Sequence, residues 1–189
     1  MNRVNRLSSG ARNNLFTRFI LFDFPSELCQ SLLMAEHILT RELILDLPLE
    51  KVFGFFADAG NLERITPPQL NFHIITPQPI DLKKGALIDY RLKLRGVSLT
   101  WRTVISTWNP PFEFVDEALK SPYKQWIHRH TFSVAGENET LIKDEVRYRL
   151  PFEPLGDIAH FFVRKELNYI FDFRQKTVKE ILQTEKFSD

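Results

Sequence analysis

From Ile38 onward the chain is written in two rhythms, a period of two in most segments and a helical period in three. Ile38 to Leu47 places Leu39, Leu43, Leu45 and Leu47 on one side and ends at Pro48, the pattern of a strand. Leu49, Val52, Phe53 and Phe56 then recur at helical spacing as far as Ala57, and Pro48 suits the first helical position. Asp58 to Thr66 predicts a second short helix, which must stop before Pro67-Pro68. Phe72 to Thr76 reads as a strand, and Pro77 and Pro79 keep the connection after it irregular.

The next pattern is a hairpin. Ile88, Tyr90, Leu92 and Leu94 alternate with Asp89, Arg91, Lys93 and Arg95, and Gly96-Val97 suits a type II′ turn because Gly supplies the positive φ that such a turn needs first. That turn pairs Leu94 with Leu99, Leu92 with Trp101, Tyr90 with Thr103 and Ile88 with Ile105, so one face is apolar on both strands. Trp108-Asn109-Pro110-Pro111 ends the second strand, Phe112 to Leu119 makes another, and Lys120 to Tyr123 turns the chain into Gln125 to Val134. A loop at Ala135 to Glu139 leads into a last strand, Thr140 to Leu150, in which Ile142, Asp144, Val146, Tyr148 and Leu150 share a face. Pro151 and Pro154 stop the sheet. Gly156-Asp157 supplies a cap for a helix from Ile158 to about Gln183, whose Val163, Leu167, Ile170, Phe171, Val178 and Ile181 form a broad apolar face.

The order of elements predicts an α+β domain. A curved antiparallel sheet of about seven strands grips a long C-terminal helix, with two short helices between its first two strands. The composition adds one fact to this. Hydrophobic residues (43%) and charged residues (26%) are ordinary in proportion, but 17 Phe among 189 residues suggests an aromatic interior, and with it the apolar wall of a gap between sheet and helix.

The formal net charge of +1 gives no electrostatic case for nucleic acid. Cys29 is the single cysteine, so no internal disulfide and no thiolate zinc site is expected, and the chain leans to the cytoplasm. Residues 1–33 are a different kind of sequence, with Arg3, Arg6, Arg12 and Arg18 among Ser and Asn, and their apolar run is interrupted by Arg18 and Asp23. They read as an N-terminal extension ahead of a domain spanning 34–189, with Met34 as an alternative start.

The chemistry concentrates in Gln125 to Val134. Period two puts Trp126, His128, His130, Phe132 and Val134 on the inner face. Pairing the last two strands through their loop sets Val134 opposite Thr140, Phe132 opposite Ile142, His130 opposite Asp144, His128 opposite Val146 and Trp126 opposite Tyr148. An inward carboxylate thus meets an inward imidazole, and a register slip of two would exchange His130 for His128. Three roles are open to this group: a hydrogen-bonded pair that pins the register, the polar end of a ligand pocket, or chemistry in which His128, His130 and Asp144 move a proton or hold a metal. With no fourth ligand in view, no metal and no cofactor is expected. Tyr90, Trp101, Trp126 and Tyr148 are either core or ligand platforms. Asp116 or Glu117 can add a carboxylate to the interior, and the pattern leaves open which. Arg91, Lys93, Arg95, Arg102, Arg147 and Arg149 make a basic outer face, either solvated or facing an acidic partner or membrane headgroups.

Several segments together resemble the START-like (SRPBCC) superfamily of helix-grip proteins, which includes birch-pollen-allergen-like, polyketide cyclase/dehydrase-like and coenzyme Q-binding members. They are Phe53-x-x-Phe56-x-Asp58 with Asn61-Leu62-x-x-Ile65-Thr66-Pro67-Pro68, Gly85 with Ile88-Asp89-Tyr90-Arg91-Leu92, Trp101-Arg102-Thr103, Trp108-x-Pro110-Pro111-x-x-Phe114-Val115-Asp116, Trp126-x-His128-x-His130-x-Phe132, and Asp144-x-Val146-x-Tyr148. The resemblance covers Ile38 to Leu182 and implies a deep apolar cavity between sheet and terminal helix, used by relatives for lipids, isoprenoid quinones, polyketides or hormones. It transfers no catalytic residue. The expected function is to bind or carry a small hydrophobic molecule held by Tyr90, Trp101, Trp126 and Tyr148, with His128, His130 or Asp144 at its polar end. The alternative is a cyclase, dehydrase or hydrolase that uses the His–Asp pair in the same cavity. A transient membrane or protein contact would fall on the basic face or around His160-Phe161-Phe162.

Overall fold

The computed structural model describes residues 36–151 and 155–186, without the side chains of residues 155–158 and 185–186. The expected extension at 1–33 lies outside the described residues. Seven strands form one antiparallel sheet: β1 (His37–Leu45), β2 (His73–Ile74), β3 (Leu87–Leu94), β4 (Val97–Asn109), β5 (Glu113–Lys120), β6 (Gln125–Gly136) and β7 (Glu139–Arg149). Their spatial order is β1-β7-β6-β5-β4-β3-β2. Six consecutive strands, β2 to β7, therefore form a meander, and β1 closes against the last of them. Helices α1 (Leu49–Ala57) and α2 (Asn61–Arg64) and a 3-10 turn at Pro68–Leu70 fill the connection from β1 to β2. The 32-residue α3 (Leu155–Lys186) follows the sheet. This is the α+β helix-grip architecture that the pattern predicts.

The ends of several elements differ from expectation for local reasons. β1 stops at Leu45, yet Leu47 stays buried because the Thr140 hydroxyl donates to its carbonyl oxygen at 2.7 Å and holds the chain against β7. β2 shortens to two residues because Ile75 N–H and Thr76 N–H both donate to Asp89 O, which uses up the ladder. α3 begins at Leu155, so Gly156 and Asp157 lie inside its first turn and not ahead of it. The β3–β4 hairpin is the one register correction. Its loop is Arg95-Gly96, with φ of 50° and 85°, so both central residues are left-handed as in a type I′ turn. The pairs become Leu92 with Leu99, Tyr90 with Trp101 and Ile88 with Thr103, two residues from the expected register. A slip of two keeps every side chain on its face, so the inner wall is unchanged.

On the inner face of α3, Leu167, Phe171, Val178 and Leu182 are buried at helical spacing. Leu167 and Phe171 pack with Leu39, Val146 and Tyr148 over β1 and β7. Val178 and Leu182 pack with Phe53 of α1 and with Phe114, Phe132 and Ile142 of the sheet. The pairing of β4 with β5 shifts register twice, between Arg102 and Thr103 and between Ile105 and Thr107. Such irregularities bend a strand and raise its twist. Among the described residues, no helix is long and apolar enough to cross a membrane.

Candidate functional site

Where the core clusters leave off, a cavity of about 500 Å³ opens, bordered by residues of α3, the connection from β1 to β2, and β3 to β6. Tyr90, Trp101 and Trp126, three of the expected wall residues, border it. The Tyr90 and Trp101 rings lie nearly parallel at 5.8 Å, and Trp126 meets Trp101 edge-on at 5.3 Å. The polar atoms of this wall partner one another: Trp101 Nε1–H donates to Thr103 Oγ1 at 3.1 Å, and the Tyr90 hydroxyl lies 3.4 Å from the same oxygen. Burial pushes the Tyr90 phenol far above its ordinary pKa, aided by the charge of Asp116, so it is a neutral donor. Tyr148, expected on the wall, does not border the cavity. It is 1% exposed, packs in the solid cluster over β7, and its hydroxyl lies 3.2 Å from His160 Nε2.

Period two and the pairing of β6 with both neighbours build the polar end. His130 faces Asp144 and His128 faces Val146 on one side, while Asp116 faces His128 and Phe114 faces His130 on the other. The result is a closed quartet of two imidazoles and two carboxylates. His128 Nε2 lies 3.2 Å from Asp144 Oδ1, and His130 Nε2 lies 3.2 Å from Asp116 Oδ2, both as hydrogen bonds. His130 Nδ1 approaches Asp144 Oδ1 to 2.7 Å off the hydrogen-bond line, and His128 Nδ1 lies 3.4 Å from Asp116 Oδ2. The expected alternatives, His130 or His128 as the partner of Asp144, are therefore both realised. Asp144 lies behind the wall, whereas Asp116, His128 and His130 border the cavity.

The protonation pattern follows from this ring. Burial alone would raise the Asp144 carboxyl, but the charge of His130 and the hydrogen bonds from both histidines hold it far below the usual carboxylate range. Asp116 is also lowered: burial opposes this, and the two histidines and Arg174 outweigh it. Burial and the neighbouring His130 push His128 down, against the pull of the carboxylates. His130 goes the other way, because Asp144 and Asp116 together overcome its burial. The ring thus favours two carboxylates, draws the proton toward His130 and disfavours charge on His128. His128 is 4% exposed.

The sequence reading left one member of this site undecided, Asp116 against Glu117, and missed another, Arg174. Phe114 and Val115 are both apolar and both buried, so β5 lacks the alternation that would have chosen Asp116 over Glu117. Arg174 borders the cavity from α3 with its guanidinium 5.0 Å from the Phe171 ring centre and its Nε buried without a hydrogen-bond partner. A signal for it existed, since the stripe from Leu167 through Phe171 to Val178 passes through position 174. Of the expected basic outer face, Arg102 grips Asp89 across β3 and β4 at 2.7 and 2.9 Å and Arg147 meets Glu145 along its own strand at 2.8 Å, whereas Arg95 borders the cavity, 3.8 Å from Glu166 of α3.

A seven-stranded antiparallel sheet, a long terminal helix and a cavity between them define the START-like helix-grip fold, and solved structures bear this out. A START superfamily protein from Mycobacterium smegmatis superposes with a TM-score of 0.58 at 9% identity, covering 77% of this chain and 99% of that one. A norcoclaurine synthase from Thalictrum flavum, solved with a transition-state analogue, superposes with a TM-score of 0.62 at 10% identity, covering 81% of this chain and 98% of that one. A nucleoside-diphosphate sugar epimerase from Corynebacterium glutamicum is 28% identical over 77% of this chain, with a TM-score of 0.55, but the match spans only 29% of the epimerase. No protein-family model and no curated protein sequence matches the chain.

Proposed function

We propose that this protein binds and carries a small, mostly apolar molecule in the cytoplasm, such as a lipid, an isoprenoid quinone or an aromatic polyketide. The observation that carries the reading is the division of the cavity wall. Aromatic and aliphatic side chains line most of about 500 Å³, and the ionisable groups are few: Asp116, His128, His130 and Arg174, with Asp58, Arg95 and Glu166 elsewhere on the lining. That is the usual layout of a small-molecule site, in which apolar area supplies affinity and a few placed polar groups fix orientation. Trp101, Trp126 and Tyr90 contact the body of the ligand, and Asp116, His128 and His130 meet its polar end with Asp144 supporting them from behind. Phe161 and Phe162 stand exposed on α3, and Phe162 also borders the cavity, a suitable place for the transient membrane or protein contact that hands the ligand over.

Native mass spectrometry of the purified chain, followed by thermal melting with a fatty acid, a short-chain quinone and a planar polyketide, tests this. A ligand at a hundred times its Kd adds about 2.7 kcal/mol, or about 5–11 °C of melting temperature for a domain of this size. A protein that carries nothing and melts unchanged with all three probes would defeat the reading.

His128 favours a second reading. A neutral imidazole that borders an apolar cavity, held between two carboxylates, is equipped to act as a general base. The norcoclaurine synthase of the same fold offers an analogy of fold only. His128→Gln separates the two readings: a carrier loses affinity or stability, whereas an enzyme loses turnover with ligand binding intact.

A further inference from the structure

The quartet holds more donor atoms than a register-pinning pair needs, and they are arranged in two shells. Asp116, His128 and His130 each offer one donor atom, and the three atoms lie within 4.8 Å of one another. Asp116 Oδ2 is 3.4 Å from His128 Nδ1 and 3.2 Å from His130 Nε2. Bonds of about 2.0–2.2 Å to a divalent ion put neighbouring donors roughly 3.0–3.5 Å apart, so these two separations match edges of a coordination polyhedron. Of the opposite nitrogens, His128 Nε2 hydrogen-bonds to Asp144 Oδ1 at 3.2 Å, and His130 Nδ1 lies 2.7 Å from the same oxygen, off the hydrogen-bond line but in ion-pair contact. A carboxylate behind a ligating histidine fixes its tautomer and ring orientation, and here one carboxylate serves two histidines.

Placement gives a second, independent argument. The three donor residues border the cavity, and the orienting Asp144 does not. An ion among the three would keep its remaining positions toward the cavity, the layout of a site that binds a further ligand and not of a closed structural one. Two imidazoles and one carboxylate, with no thiolate among them, suit a divalent first-row transition ion and are poor for Ca²⁺ or Mg²⁺.

We propose that Asp116, His128 and His130 form a binding site for a divalent transition-metal ion such as Fe²⁺, Co²⁺ or Zn²⁺, with Asp144 as its orienting carboxylate. This revises the expectation of no metal, which rested on the lack of a fourth ligand; Asp116 supplies the carboxylate of the triad and the cavity supplies the open positions. It does not rest on the carrier reading, because an ion needs only these four side chains.

The full chain, stripped with a chelator and desalted, is titrated with Co²⁺ alone while visible d–d absorption is recorded, and the retained metal is then measured by elemental analysis. The expected result is absorption that saturates at about one ion per chain. Asp116→Asn, which preserves shape, should lose the band or weaken binding at least about tenfold, and Asp144→Asn should weaken it about 10–100-fold while the protein stays folded by circular dichroism. Folded wild-type protein that gives no band and retains no cobalt overturns the site, and so does Asp116→Asn binding as tightly as wild type. No organic ligand enters this experiment, so its failure leaves the carrier reading untouched.

Discussion

The two flanks of the space beneath α3 are built from the same kinds of side chain and end differently. Toward β1 and β7, and toward α1, rings and branched chains close on one another: Phe132, Ile142, Val178, Leu182, Tyr148 and Val146 are each 2% exposed or less. Toward β3 and β4, the rings of Tyr90, Trp101 and Trp126 pack against each other at the wall and leave the middle empty. Aromatic content therefore does not distinguish a core from a pocket. What differs is whether a second layer arrives: α1 and α3 together cover the inner face of β6 and β7, while the 3-10 turn, loops and the stretch of α3 around Phe162 approach β3 and β4.

The largest effect should come from the solid flank. Phe132→Ala removes a ring that packs against Phe53, Phe56 and Phe114, and in a closed core that costs about 3–5 kcal/mol, or roughly 6–20 °C in melting temperature. Leu92→Ala on the hollow flank removes atoms that already border open space, and should cost well under half as much. Urea denaturation of the two variants compares them directly, and equal losses would mean that the flanks are packed alike.

Next comes the buried charge. Asp144→Ala takes away the carboxylate that two histidines share, and breaking a buried ion pair from one side costs about 3 kcal/mol. Asp116→Ala should cost less, because its side chain keeps 18% exposure toward the cavity and water can replace it. If chemical denaturation ranks Asp116 above Asp144, the assignment of an outer ligand and an inner support is wrong.

The contrast between flanks also explains what the sequence disclosed. The β6–β7 register, pair for pair from Trp126–Tyr148 to Val134–Thr140, was legible because an inward Asp144 tolerates few partners, and the irregularity between Val134 and Gly136 absorbs the loop without moving it. The β3–β4 register was off by two because Arg95 adopts a left-handed φ that the sequence pattern assigns to glycine first. Both registers satisfy the alternation equally, so only turn chemistry could decide. The choice of Asp116 over Glu117 was left open by apolar neighbours on either face, and Arg174 was hidden by its being a charged residue in a stripe otherwise read as apolar. Position 174 belongs to a cavity wall and not to a core, which is why the helical rule found the stripe and not the arginine's role.

A smaller effect on stability, with a large one on occupancy, should follow from filling the hollow. Leu92→Trp projects a ring into open volume, so its cost or gain should stay within about 1.5 kcal/mol, while ligand-induced stabilisation falls toward zero. The same enlargement on the closed flank, Val178→Trp, has no room to enter and should unfold the protein. Melting curves with and without the best probe ligand separate the two cases.

The smallest effect belongs to the outer face, where the Asp89–Arg102 fork is the exposed counterpart of the buried quartet. Its two hydrogen bonds hold the Asp89 carboxyl below its ordinary value. A depressed carboxyl contributes stability that is present above its unfolded pKa, about 3.9, and is lost as pH falls through the lower folded value. Both side chains remain in reach of solvent and salt, so Asp89→Asn should lower the melting temperature by no more than about 2 °C at pH 7, and by less in 0.5 M salt. The gap between variant and wild type should close as pH falls through the depressed folded value, where the wild-type carboxyl loses its charge as well. A gap that stays constant through that range would assign the effect to strand pairing between β3 and β4 and not to the ion pair, and would remove the outer face from the comparison with the quartet.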